Sequence, residues 1–154
     1  MKNLLLLATL GIMLSSAIAP NSKVVTAELP GCQLKIGDTY AGGIVFYLDT
    51  ADACHGLVCA PSDQGQNIKW TEAGALCKSL NSGGFSDWRL PTKNELNQMF
   101  RNLKNNRLGS FGDDFYWSSN ESYPNFMWGQ DFKTGYQLNY SKYFTYSVRA
   151  VRAF

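Results

Sequence analysis

Four basic side chains recur along one stretch of the sequence, and their chemistry suits the binding of an anionic group. They are Lys93, Arg101, Lys104 and Arg107. Attraction between exposed charges is screened within about 10 Å, so recognition of sulfate or phosphate requires such clustering. The competing interpretation is a helix face in water, which ordinary surface composition favours.

Aromatic side chains crowd the last third of the sequence, and their flat faces can stack on sugar rings. The tyrosines between Tyr136 and Tyr146 alternate enough to leave some rings in water. Tyr136, Tyr140 and Tyr143 are therefore candidate contact residues. For Trp117 and Trp128 the pattern favours packing in the core or at its edge.

Side chains for catalysis are scarce. His55 is the single histidine and no G-x-S-x-G accompanies it, so a Ser-His-Asp arrangement is not indicated. Asp113, Asp114 and Glu121 offer carboxylates for a glycosidase, but their spacing does not define a pair. The sequence has no phosphate-binding loop and no EF-hand calcium loop. We therefore expect a protein that is not an enzyme, with no catalytic residues, no metal and no cofactor.

The four cysteines are Cys32, Cys54, Cys59 and Cys77. An even number of cysteines in an exported domain predicts two disulfides. Three pairings are open, and the favoured one joins Cys59 to Cys77 and Cys32 to Cys54. A zinc site built from Cys54, His55, Cys59 and Cys77 is the alternative, but the spacing does not match paired C-x-x-C ligands.

Residues 1–19 predict a secretory signal peptide. Lys2 supplies the positive charge, and the apolar run Leu4–Leu14 is too short to span a bilayer. Cleavage is expected between residues 17 and 27, and residues 20–35 form a leader; a retained anchor is the alternative. We expect a secreted or cell-surface protein, with the periplasm and outer membrane as other locations and no stable membrane span after cleavage.

The net charge of +2 at pH 7 argues against a nucleic-acid partner. Proteins that bind nucleic acid usually carry a strong basic excess. An anionic partner must therefore be recognised by a local patch.

Apolar runs bounded by turn residues predict the strands. The predicted strands are 44–48 with its hairpin partner 57–60, then 116–119, 126–132, 136–140 and 147–154. Lys133-Thr134-Gly135 has the residue types of a tight turn. Strands, then two helices, then strands predict an α+β domain over residues 36–154.

Two helices are predicted between these strands. In the first, Ala73, Leu76, Cys77 and Leu80 form one apolar face and Thr71 is the expected N-cap. The second begins with the capping box Thr92-x-x-Glu95, and its buried stripe is Leu96, Met99, Phe100 and Leu103.

Five segments resemble a bacterial family called domain of unknown function 1566, which includes the C-terminal domain of the Legionella collagen-like adhesin. These segments are Trp70-x-x-Ala73-x-x-x-Cys77-x-x-Leu80, Gly83-Gly84-x-x-Asp87-Trp88-Arg89-Leu90-Pro91-Thr92-x-x-Glu95-Leu96, Tyr116-Trp117-Ser118-Ser119, the 128–135 hairpin and Val148-Arg149-x-Val151-Arg152. The resemblance implies a C-type-lectin-like fold, with two helices packed on short antiparallel strands. Trp70, Asp87, Trp88, Arg89, Pro91, Thr92, Glu95, Trp117, Arg149 and Arg152 are expected to serve this structure; for Arg149 and Arg152 we expect an ion pair and a solvated strand face.

The resemblance also implies a binding role. The adhesin is associated with sulfated glycosaminoglycans and with trimers, which suggests adhesion to a glycosaminoglycan or another surface glycan. This chain has no collagen-like Gly-x-y repeat, so the resemblance does not by itself predict a trimer or host binding, and a homo-oligomer stays open. The alternatives are a structural subunit of an envelope assembly and an enzyme on the scaffold of the formylglycine-generating enzymes.

Overall fold

A computed structural model describes residues 33–51 and 54–154. The predicted signal peptide, the leader as far as residue 32, and Cys32 lie outside the described residues. Within the described ranges the strands and helices are β1 (Thr39–Tyr40), β2 (Gly43–Leu48), β3 (Gly56–Cys59), β4 (Gly65–Lys69), α1 (Trp70–Ser79), α2 (Lys93–Asn102), β5 (Phe115–Tyr123), β6 (Phe126–Asp131), β7 (Gln137–Ser141), β8 (Thr145–Val148) and β9 (Val151–Ala153). A 3₁₀ turn, Lys104–Asn106, follows α2.

A four-stranded antiparallel sheet joins the start of the described chain to its last strand. Its order is β1-β2-β3-β9. β2 and β3 form the predicted hairpin, with Ile44 opposite Cys59. β9 pairs with β3 so that Arg152 lies opposite Val58. The C-terminal strand therefore closes the domain onto its first hairpin.

The second sheet has five strands in the order β4-β8-β5-β6-β7. β5 and β8 are parallel, and the other neighbours are antiparallel. β6 and β7 form the predicted hairpin, with Trp128 opposite Asn139. Gly135 in the connecting turn has φ +83°, a left-handed conformation that suits glycine.

The predicted α+β, C-type-lectin-like class is wrong. The described residues are mostly β: two sheets of four and five strands carry the fold, with two α-helices of ten residues each. The sequence pattern understates the strands because β4 is polar and largely exposed, without the alternation that marks a half-buried strand. β1 is too short, at two residues, to give a pattern.

The predicted strand over residues 147–154 is two strands in different sheets. β8 ends at Val148 and β9 begins at Val151, with Arg149 and Ala150 between them. Both residues are buried, and the Arg149 side chain turns into the interior. A run interrupted only by single arginines, at 149 and 152, resembles one strand in sequence, which hides this crossing between sheets.

The core lies on both faces of the four-stranded sheet. Val58 belongs to a cluster with Trp88, Trp117 and the α1 residue Cys77. Its neighbour Cys59 belongs to a second cluster with the α2 residues, because successive side chains of a strand point to opposite faces. Burial on both faces explains why β2 and β3 are almost continuously apolar.

The two helices begin differently. α2 begins as predicted: the Glu95 N–H donates to Thr92 Oγ1 at 3.2 Å and the Thr92 N–H donates to the Glu95 carboxylate at 2.7 Å. α1 begins one residue before the predicted cap. Lys69 is its N-cap without a side-chain hydrogen bond, and Thr71 lies inside the helix. The Trp70 indole donates to the Ser118 carbonyl at 2.8 Å, which fixes this helix start through a distant strand.

Candidate functional site

The segment 87–92, between the two helices, is a rigid corner at the centre of the candidate site. Trp88 is 1 % exposed, and its indole donates to the Phe85 carbonyl at 3.0 Å. The N–H and carbonyl of Arg89 bond the main chain of Val151, each at 2.9 Å. Pro91 holds Leu90 in an extended conformation, so α2 cannot begin before Pro91. Thr92 is its N-cap, as the sequence predicts. The corner is therefore held by the core on one side and by β9 on the other.

Arg89 and Glu95 form a two-pronged ion pair across this corner. The Arg89 Nη1 and Nη2 atoms lie 2.8 and 2.6 Å from the two Glu95 carboxylate oxygens. Burial raises the pKa of Glu95, but the hydrogen bonds from Arg89 and from the Thr92 amide outweigh burial and hold the pKa below its usual value. The pair gives Arg89 a structural contact, and 43 % of its side chain stays exposed.

β5 contributes the opposite wall through an irregularity. Trp117 pairs with Gly129 and Glu121 pairs with Met127. Between these two pairs β5 advances by four residues and β6 by only two, so β5 contains extra residues. The extra residues bulge out of the sheet, as bulges beside functional sites commonly do. The Ser119 N–H donates to the Pro91 carbonyl at 2.7 Å, and Asn120 Oδ1 accepts from the Lys93 N–H at 2.8 Å. The bulge is thereby tied to the corner.

An open cleft of about 600 Å³ lies where α1, the corner and the bulge meet. We call it the Trp70 cleft. It is lined by Trp70, Thr71, Gly74, Lys78, Arg89, Leu90, Thr92 and Ser119. An indole and a leucine provide apolar surface, and three hydroxyl groups and two cationic side chains provide polar contacts. Such a mixture is typical of small-molecule and sugar sites.

Gly74 keeps this cleft open. It lies inside α1, where glycine costs roughly 0.5–1 kcal/mol relative to alanine. A Cβ atom at this position would have no neighbour within 4 Å. Packing therefore does not require glycine here, and a side chain would project into the space of the cleft.

The cleft is electropositive. Lys78 is exposed at its edge, and Arg89 keeps N–H groups that Glu95 does not use. Of the described residues, those lining the cleft include no carboxylate. The Glu95 carboxylate offsets the charge of Arg89 from behind, so Lys78 supplies most of the uncompensated positive charge.

A second, smaller cleft of about 320 Å³ lies beyond Thr92, and we call it the Trp128 cleft. It is lined by Thr92, Lys93, Asn94, Asn120, Glu121 and Trp128. The Lys93 ammonium lies 3.1 Å from the centroid of the Trp128 ring, a cation–π contact. Lys93 is thus held over an aromatic face and apart from the other predicted basic residues.

The remaining predicted basic residues lie at the far end of α2. The Lys104 ammonium donates to the carbonyls of Phe111 and Gly112 and pairs with Asp113 at 2.6 Å, which uses its three donors. Lys104 therefore clamps a loop. Arg101 and Arg107 are exposed, and Arg107 lines a cleft of about 310 Å³ beside Lys104. The structure does not bring the four basic residues together as one stripe.

The predicted tyrosines divide into two kinds. Tyr136 and Tyr143 are 70 % and 67 % exposed, on the turns that flank β7. Tyr140 packs edge-on against Phe115 and Tyr146, with centroids 5.2 and 5.0 Å apart. Among the tryptophans, Trp117 is fully buried, which confirms a packing role, while Trp128 is half-buried at a cleft.

Arg149 and Arg152 both make ion pairs. Arg149 is 1 % exposed, lies 2.7 Å from Asp63 and donates to the carbonyls of Ala60 and Gly109. Arg152 forms two hydrogen bonds with Asp87, at 2.6 and 3.2 Å. The expectation of a solvated strand face is therefore wrong for Arg152, which is largely buried.

The predicted Cys59–Cys77 disulfide is wrong. Both side chains are buried free thiols, and they lie in core clusters on opposite sides of the four-stranded sheet. Burial raises the pKa of Cys59 to about 11 and that of Cys77 to about 12. Cys54 is not a free thiol, and Cys32 lies outside the described residues, so the Cys32–Cys54 disulfide stays a prediction.

The carboxylates considered for catalysis lie apart. Asp114 accepts from Ser147 and from the Phe115 N–H just before β5, Asp113 pairs with Lys104, and Glu121 lies near the other end of the strand. Phe115 pairs with Asp131 and Glu121 pairs with Met127, so four residues of β6 separate the two ends. Four strand residues span roughly 13 Å, beyond the roughly 5–10 Å between glycosidase carboxylates.

Residues 33–51 and 54–154 contain no group of three His, Cys, Asp or Glu side chains placed to hold a metal ion, so the zinc alternative gains no support. Within the same ranges no helix is both long enough and apolar enough to cross a membrane.

Fold and site together define a two-sheet domain with an electropositive, partly aromatic cleft. The chain belongs to the family of the Lcl C-terminal domain, whose sequence model matches residues 49–152. A search of curated proteins finds no match. The family match confirms the predicted membership in the domain of unknown function 1566 family.

Sequence reasoning missed several residues of the Trp70 cleft. They are Thr71, Gly74, Lys78, Leu90 and Ser119 in their role as lining residues. One signal was available: a glycine inside an otherwise regular helical pattern, which usually has a packing or functional reason.

Proposed function

We propose that this protein is a non-catalytic binding module that holds a sulfated or otherwise acidic glycan in the Trp70 cleft. The observation that carries the proposal is the lining of that cleft, where an indole, hydroxyl groups and cationic side chains surround an open volume of about 600 Å³. A sugar ring needs an apolar face and polar partners at its edge, and an acidic group needs a cation. A glycan ligand also fits the export that the N-terminal residues predict.

Rigidity supports a binding role. The Arg89–Glu95 pair, the capping box and the Ser119–Pro91 hydrogen bond hold the cleft walls before any ligand arrives. A site organised in advance loses less entropy on binding, so weak contacts with a sugar yield more net affinity.

The test uses Gly74. Binding of the purified protein to immobilised heparin is measured by biolayer interferometry, with desulfated heparin, which keeps only its carboxylates, as the less charged comparison. Gly74→Leu fills the cleft and is expected to lower heparin binding at least tenfold. Lys78→Gln is expected to weaken binding and its salt dependence, because one screened attraction is lost.

Two matched variants serve as controls. Gly74→Ala adds one methyl group, and Ala75→Leu places the same leucine on the same helix outside the cleft. Both are expected to bind heparin like the original protein. If folded Gly74→Leu binds as tightly as Ala75→Leu, the Trp70 cleft is not the site.

A further inference from the structure

We propose that the Trp70 and Trp128 clefts are two subsites of one elongated site, which holds successive units of a linear polymer across Thr92. This inference rests on the proposed glycan binding and adds the shape of the ligand. A polymer with acidic groups on successive units would contact Lys78 in one cleft and Lys93 in the other.

The two clefts are continuous along both walls. Thr92 lines both of them. On the corner side, the lining passes from Leu90 and Thr92 to Lys93 and Asn94. On the strand side, Ser119 lines the Trp70 cleft, whereas Asn120 and Glu121 line the Trp128 cleft. Residues 119 and 121 are two positions apart in the chain, so their Cα atoms lie at most about 7 Å apart and the subsites are close neighbours.

Two hydrogen bonds fix the subsites relative to each other. The bulge of β5 reaches the corner at Ser119–Pro91 on one side of Thr92 and at Asn120–Lys93 on the other, at 2.7 and 2.8 Å. The Ser118 hydroxyl donates to the Trp128 carbonyl at 2.8 Å and anchors the bulge from below. A polymer therefore meets a preformed track, and its second unit binds at little additional ordering cost.

The subsites differ in chemistry. The Trp70 cleft offers Leu90 and an indole face that carries no cation. In the Trp128 cleft the indole already carries the Lys93 ammonium, so this ring orients a cation for an acidic group. Asn94 and Asn120 supply amide groups beside it. Lys93 thus supplies the cation of the second subsite, beside the Glu121 carboxylate that lines the same cleft, and the first subsite accepts a ring face.

The test is a length series of size-defined heparin oligosaccharides, from disaccharide to octasaccharide, titrated calorimetrically. Affinity of the original protein is expected to rise about tenfold or more at the length that spans both clefts. Lys93→Gln and Trp128→Ala should remove this step and leave the affinity for the shortest bound fragment unchanged. Lys93→Gln keeps the main-chain hydrogen bonds of residue 93. This variant therefore still tests the second subsite if Trp128→Ala folds poorly.

The control is Tyr136→Ala, an exposed aromatic residue outside both clefts, which should keep the step. The two-subsite inference is overturned if affinity rises smoothly with ligand length, or if the abrupt rise in affinity is still present in both Lys93→Gln and Trp128→Ala. Either result leaves the proposed function intact. Absence of binding at every length overturns both.

Discussion

Glu95 accepts hydrogen bonds from the Arg89 guanidinium with both carboxylate oxygens, and one of these oxygens also accepts a hydrogen bond from the Thr92 N–H. One side chain thus joins the corner, the start of α2 and an edge of the Trp70 cleft. Replacing it should loosen the cleft and the helix together, which links stability to the proposed binding.

This pair makes stability depend on pH. Because the pKa of Glu95 is lower in the folded chain than in the unfolded chain, its contribution is present above the unfolded pKa, about 4.3, and is lost as pH falls through the folded value. Glu95→Gln should therefore lower the free energy of unfolding at pH 7 by about 1–2 kcal/mol. Between pH 5 and pH 3 the variant should lose less of its remaining stability than the original protein does. Urea denaturation across this range measures both. Parallel pH profiles for the two proteins would refute the assignment.

The buried ion pair between Arg149 and Asp63 predicts a larger effect. Arg149→Met leaves the Asp63 carboxylate with the Tyr116 hydroxyl but without its cation, and Arg149 is almost fully buried. We expect a loss of about 3–5 kcal/mol in the free energy of unfolding. Asp63→Asn keeps a weaker hydrogen bond and should cost about 1–3 kcal/mol.

Exposed Arg101 provides the control for this series: Arg101→Ala should change stability by less than about 0.5 kcal/mol. Equal losses for the two arginines would show that burial does not decide the effect.

The cysteine arrangement predicts a thiol count. Cys59 and Cys77 are buried, and their raised pKa values keep them protonated, so the native protein should not expose them to Ellman's reagent at pH 8. In denaturant both should react, giving two thiols per chain if Cys32 and Cys54 are paired. Rapid labelling of either buried thiol in the native protein would contradict the core arrangement.

Local signals in the sequence predicted local structure well. Thr92-x-x-Glu95 gave the start of α2, and the turn residues 133–135 gave the β6–β7 hairpin. Long-range packing was not predictable from one segment. The start of α1 depends on Ser118, 48 residues away, and the break between β8 and β9 depends on the pairing of Arg149 with Asp63.

The candidate site followed the same rule. The sequence predicted structural roles for Arg89, Thr92 and Trp70, yet their side chains line the Trp70 cleft. The cleft itself arises from α1, the corner and the bulge of β5, and none of these carries a charge cluster. The predicted basic stripe failed as a unit because Lys104 binds its own loop and Lys93 lies over Trp128.

The indole N–H signals give the most direct test of glycan binding in the Trp70 cleft. The chain has four tryptophans, so a ¹H–¹⁵N spectrum resolves each indole during titration with a heparin tetrasaccharide. We expect a large, saturating change in the chemical shift of the Trp70 indole N–H. The Trp88 and Trp117 signals should change very little, because both side chains are buried. Binding detected by calorimetry while the Trp70 signal stays in place would contradict the assignment.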